Sequence, residues 1–257
     1  MPQPDFLIIG AQKCGTTSLF FYLSQHPDLN LPAKKELQFF TFEYLKGWSW
    51  YENQFPAQYN FEKKLTGEAT PYYLFHPLVP ERVAHHLPKV KLIIMLRNPV
   101  DRAYSHYFHE VRHQIIQIKN TETALFKEDS QIKEDEKAIL SGQMVQSFPH
   151  QHRSFLSRGL YAKQIERWLQ HFPLSQILFI KSEDFFNRPE IELIKVYQFL
   201  NIKRVFPENL KAQNTNSYPG LTSEMRSKIS PFFEEDGKHL IRILGDQFSW
   251  PENNLIL

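Results

Sequence analysis

Short apolar runs alternate with amphipathic stretches along this chain. Phe6, Leu7, Ile8 and Ile9 run together and are closed by Gly10, the pattern of a strand buried on both faces. After a loop, residues 16–25 place Leu19, Phe20 and Leu23 on one stripe, which predicts a helix ending before Pro27. The unit then recurs. Residues 90–96 form a second apolar run. Asn98 can cap the next helix, and Pro99 falls in its first turn, where a missing N–H costs nothing. That helix carries residues 101–112. A third strand is expected at 177–180, and helices at 78–86, 161–171, 189–200 and 222–244. Strands alternating with helices predict an α/β fold with a central parallel sheet covered on both faces. Residues 114–158 break the pattern: they are polar, carry a charge cluster at 127–137 and show no strand signal. They read as a helical insert of one or two exposed helices and a loop, within a single domain spanning 1–257.

Composition narrows the partners. Lys plus Arg is 30 and Asp plus Glu is 28, so a net charge of +2 gives no bulk attraction for nucleic acid. Cys14 is the single cysteine, which excludes an intrachain disulfide. The apolar run at 6–10 is far shorter than the roughly 20 residues a membrane span needs and lacks a basic leader, so a cytoplasmic chain without a membrane anchor is expected. The 11 histidines show no metal-ligand spacing, and no metal is expected.

The chemistry concentrates in the loop after the first strand. Gly10, Lys13, Cys14, Gly15, Thr16, Thr17 and Ser18 lie between a strand and a helix start, where backbone N–H groups and the helix dipole favour an anion. Lys13 adds a full cation, Thr16, Thr17 and Ser18 add hydroxyls, and Gly15 lets the backbone close on a phosphate. Cys14 also reads as a small space-filling residue. A nucleoside-triphosphatase loop would put lysine directly after Gly15, where Thr16 stands. A thiol phosphatase would need arginine six positions after the cysteine, where Phe20 stands.

The phrase Ile9, Gly10, Lys13, Gly15, Thr16, Thr17, followed by His26, Pro27 and Asp28, resembles the 5′-phosphosulfate loop of sulfotransferases that use 3′-phosphoadenosine 5′-phosphosulfate (PAPS). The likeness is greatest to the carbohydrate branch, the heparan sulfate type. Arg97, Asn98, Pro99, Asp101, Arg102, Tyr104 and Ser105 resemble that family's 3′-phosphate motif. An arginine at the carboxyl end of a buried strand can fork onto a phosphate, and Ser105 follows about two helical turns later. Thr66 to Tyr73, Gly159 to Tyr161, and Ile165 to Trp168 match further family segments.

The resemblance implies a P-loop-like three-layer fold and transfer of a sulfuryl group from PAPS, with adenosine 3′,5′-bisphosphate as product and no metal. It implies a hydroxyl or amine acceptor, a carbohydrate before a lipid, polyketide or other small metabolite. Lys13 would stabilise the leaving group and Glu68 act as general base. Lys13, Cys14, Gly15, Thr16, Thr17, Ser18, Arg97, Ser105, Tyr161 and Asn216 would hold the nucleotide, although Tyr161 reads equally as a core aromatic. The family's Lys-Gly-Arg type closing loop is replaced here by residues 214–219, which carry neither lysine nor arginine, so Asn214 or Asn216 would supply amide donors. Arg112, His113, Arg153 and Arg158 are candidates for an anionic acceptor, while His106 and His109 read as solvated. An ATP-dependent kinase and a non-catalytic nucleotide-binding module are the rival functions.

Overall fold

Four parallel strands, each short, make the sheet in the order β2-β1-β3-β4. The computed structural model describes residues 3–56, 64–117, 120–126, 129–211, 213 and 217–250. In chain order the elements are β1 (Phe6–Gly10), α1 (Thr16–Ser24), α2 (Trp48–Glu52), β2 (Gly67–Ala69), α3 (Val79–His86), β3 (Lys91–Leu96) and α4 (Pro99–Arg112). Then follow α5 (Thr121–Phe126), α6 (Asp129–Leu140), α7 (Phe148–His152), α8 (Tyr161–Leu169), β4 (Ile177–Lys181), α9 (Ser182–Asn187), α10 (Pro189–Leu200), α11 (Ser223–Ile229) and α12 (Glu234–Leu244). The described residues form two compact units, one within 1–96 and 168–216, the other within 97–167 and 217–257.

The first unit holds the whole sheet. Phe6 to Ile9 of β1 and Leu92 to Leu96 of β3 are wholly buried, which is why both strands are continuous apolar runs without alternation. The pattern of apolar positions did not reveal β2, because Gly67, Glu68 and Ala69 contain no apolar run. Its pairing explains the glycine: a Cβ on Gly67 would stand 2.6 Å from the Phe6 carbonyl oxygen on the neighbouring strand. Leu7 of β1 pairs with Glu68 of β2, so the register of the sheet fixes where that carboxylate starts.

The second unit overturns several expectations. The helix expected over 222–244 is divided into α11 and α12 by a 3-10 turn, Ser230–Phe233, where Pro231 interrupts the α-helical ladder. The described residues of the 114–158 stretch contain three helices, α5, α6 and α7, and the stretch is not merely exposed. Leu125, Phe155 and Leu156 join Val100, Ala103, Tyr107, Ile229 and Phe233 in the core of this unit.

That stretch also helps bury a polar group in the second unit. His106 is fully shielded, against the expectation that it is solvated. Its Nε2 lies 3.3 Å from Oε1 of Glu110, whose Oε2 lies 2.9 Å from Nδ1 of His152. Burial holds the His106 pKa well below the ordinary value; the charges of Arg158 and Arg102 add to this, and Glu110 opposes it. Burial alone would raise the Glu110 carboxyl, but its bonds and charge contacts with both histidines outweigh that and hold it well below the usual range. Both groups bind protons more readily in the unfolded chain, so both contributions are full at neutral pH and fade on acidification. The His106 part fades below about pH 6.5 and the Glu110 part below about pH 4.5. Stability to urea should therefore fall between pH 7 and 5.5 by up to about 1.4 kcal/mol per pH unit from His106. In His106→Asn that slope should flatten; an unchanged slope would mean another group carries it.

Candidate active site

The loop from Gly10 to Ser18 belongs to the first unit. It leaves β1 at Gly10, where a Cβ would stand 2.6 Å from Cβ of Leu74, so the chain can pass only as glycine without a shift. The N–H of Ala11 donates to the Met95 carbonyl at 2.7 Å and ties the loop to β3. Lys13 (φ 69°) and Gly15 (φ 91°) both adopt the left-handed conformation. At Gly15 a Cβ would lie 2.9 Å from the Phe186 ring and 3.3 Å from Cε of Met95, so backbone angle and space both require glycine. Cys14 is buried, and its carbonyl accepts from the Ser182 hydroxyl at 2.6 Å, the space-filling place expected of it.

α1 then starts with no capping side chain and no acidic residue in its first turn. Its first N–H groups lack carbonyl partners within the helix, and no acid in its own first turn competes for its positive end. That is the arrangement that accepts an anion. Lys13 and Thr17 beside it are half-buried and Thr16 is buried. The Ser18 hydroxyl turns inward: it accepts from the Gln213 N–H at 2.9 Å and lies 3.4 Å from the Gln213 carbonyl oxygen. Ser18 thus joins α1 to the chain at Gln213.

Glu68 is wholly shielded from water on β2. Two phenols, Tyr51 and Tyr73, each donate to its Oε1 at 2.8 Å, and the Thr70 hydroxyl donates to Oε2 at 2.7 Å. Burial pushes its pKa up; the three hydroxyls and a main-chain bond from Leu37 pull against that. A carboxyl with a raised pKa is a stronger base once ionised than a solvated one. Tyr73 belongs to the same family-like segment as Glu68 and lies five residues on from it. Tyr51 lies 17 residues earlier on another element, and only the fold brings it in.

Arg97, Ser105 and Tyr161 belong to the second unit. Arg97 follows directly on the last residue of β3 and is half-buried. Asn98 caps α4 as expected, its side chain accepting from the N–H groups of Val100 and Asp101. Ser105 is buried on α4. Tyr161 is also buried, and its hydroxyl donates to the Arg97 carbonyl at 2.9 Å, so it braces the main chain that carries Arg97. Arg158 is no free cation for an acceptor: it is buried and donates to Ser154 and to the carbonyls of His150 and Gln151. Asn214 and Asn216 lie outside the described residues. Among the described residues no group of His, Cys, Asp and Glu is arranged to hold a metal ion, and no helix is long and apolar enough to cross a membrane.

The model of the sulfotransferase domain family matches residues 3–239, across both units. The chain belongs to the sulfotransferase family. It is 26% identical to the membrane-associated sulfotransferase kil1 of Dictyostelium discoideum, over 96% of this chain. To heparan sulfate glucosamine 3-O-sulfotransferase 3A1 of Mus musculus it is 30% identical, again over 96% of the chain. It spans 66% and 64% of the length of those two relatives. Among solved structures it is similar to a sulfotransferase from Alicyclobacillus acidocaldarius, with a TM-score of 0.77 and 30% identity, covering 95% of this chain and 96% of that one. The parallel four-stranded sheet flanked by helices is therefore the sulfotransferase fold.

Proposed function

We propose that this sulfotransferase moves a sulfuryl group from PAPS to a hydroxyl or amine of a glycan or glycoside, releasing adenosine 3′,5′-bisphosphate. The observation that carries the reading is the Gly10–Ser18 loop, which ends at an uncapped helix start with a lysine beside it. The carbohydrate acceptor is supported by the relative named for heparan sulfate glucosamine. PAPS, when bound, supplies the activated sulfuryl group. In this reading the loop amides with Thr16 and Thr17 hold the 5′ side of the nucleotide. Lys13 neutralises the charge that grows on the leaving oxygen. Arg97 and Ser105 take the 3′-phosphate, with Tyr161 bracing Arg97 from behind. Glu68 receives the acceptor proton.

Calorimetric titration with adenosine 3′,5′-bisphosphate, and separately with ATP and magnesium, tests the donor class. The bisphosphate should bind, ATP–magnesium should bind far more weakly, and Arg97→Ala should weaken the bisphosphate by about 10- to 100-fold, the worth of a charge-assisted bond. ATP–magnesium binding with no response to the bisphosphate would overturn the reading in favour of a kinase. Sulfate transfer from labelled PAPS to desulfated heparan sulfate, set beside a phenol and a long-chain alcohol, then tests the acceptor class.

A further inference from the structure

We propose that Tyr51 is a positioning residue, the group that reaches in from α2 to hold the Glu68 carboxylate for proton transfer. The proposal rests on the reading of Glu68 as the base.

The carboxylate accepts bonds from Tyr51, Tyr73 and Thr70 and from the main chain of Leu37. Four bonds bear on its two oxygens. Its orientation is therefore set by its donors. Thr70 and Tyr73 lie two and five residues from Glu68, on the turn that continues β2. Tyr51 alone among the hydroxyls comes from another element.

The three hydroxyls also differ in what else they do. The Tyr73 oxygen accepts from the Phe40 N–H at 3.4 Å, and the Thr70 oxygen lies 3.5 Å from the Gln38 N–H. Both therefore also tie down the chain over 38–40. The Tyr51 hydroxyl bonds Glu68 and, among the described residues, makes no other hydrogen bond. Its ring is held independently, stacked on Phe39 at 4.4 Å and edge-on to Phe40 and Phe55. The ring thus serves the core and the oxygen serves the carboxylate. Tyr51→Phe separates the two: it keeps the stacked ring, leaves no buried donor unpaired, and leaves Glu68 its other three partners.

The direction of the effect follows from the balance at Glu68. Burial raises its pKa and the hydroxyls lower it, while the groups that bear on it are hydroxyls and one main-chain bond. Removing the Tyr51 hydroxyl removes one lowering contribution, so the carboxyl should hold its proton to higher pH. A bond to a charged group is worth roughly one to two pH units.

The test is an infrared pH titration of the full chain, following the carbonyl stretch of the protonated carboxyl that disappears in Glu68→Gln. In Tyr51→Phe its midpoint should rise by about one to two pH units, with the bisphosphate affinity unchanged. An unmoved midpoint would overturn the proposal and leave Tyr51 as a core residue. A Tyr51→Phe protein that fails to fold would overturn it too, because the hydroxyl would then be holding the fold. Turnover by Glu68→Gln is the separate control: if that variant transfers sulfate normally, the base reading fails whatever the titration shows.

Discussion

Replacing Glu68 by glutamine should reduce sulfate transfer by about 10²- to 10⁴-fold, the usual contribution of a general base, and leave bisphosphate binding near the wild-type value. The geometry makes the variant informative. Tyr51 and Tyr73 both donate to Oε1, and the glutamine carbonyl can keep both bonds. The amide nitrogen then takes the place of Oε2 and faces the Thr70 hydroxyl, which can rotate to accept instead of donate. The substitution therefore preserves volume and most hydrogen bonds in a fully buried site while removing the ability to take a proton. A fall in turnover with unchanged nucleotide affinity is the signature of a group that acts in the transfer step. Wild-type turnover would end the case for Glu68 as base. The pH profile gives an independent check. Glu68 must be ionised to act, and burial pushes its pKa up, so the acid limb of kcat/KM should lie above the usual glutamate value near pH 4.5.

How far the site could be read in the sequence depended on whether its parts are local. The nucleotide loop is local: Gly10, Lys13 and Gly15 follow one strand and open one helix, and the conformations at Lys13 and Gly15 are those such a turn requires. Asn98 and Pro99 likewise announced the start of α4. Tyr51 left no trace, because its bond to Glu68 spans 17 residues and needs α2 to pack against the turn after β2. The β2 strand was hidden for a related reason: three residues with a glycine and a buried glutamate carry no period. His106 and Arg158 were misjudged because charge patterning assigns such residues to the surface. Their burial depends on the neighbours gathered by the 114–158 stretch, including Ser154, His150 and His152. The same holds for Ser18, whose partner Gln213 is 195 residues away.

Lys13→Ala should lower turnover by about 10²- to 10³-fold, the cost typical of losing one electrostatic contact to a developing charge. The loop makes this a clean comparison. Lys13 and alanine both carry a Cβ, so the left-handed backbone at this position (φ 69°) is strained to a similar degree in either. The anchors that shape the loop lie elsewhere: the Ala11 bond to Met95, the Ser182 bond to the Cys14 carbonyl, and the glycine at position 15. The substitution removes the cation at the mouth of a helix whose first turn holds no acidic residue. A half-buried site screens that charge less than water does, so its loss is felt more than at an exposed lysine. The effect should fall on kcat more than on bisphosphate affinity, since charge on the leaving oxygen grows only as the bond to sulfur breaks. Lys13→Arg should recover little, because a planar guanidinium cannot take the position of a compact ammonium in so tight a loop. Single-turnover rates beside calorimetric affinities would separate the two contributions. Equal losses in both would make Lys13 a binding residue, and unchanged rates would remove it from the transfer step.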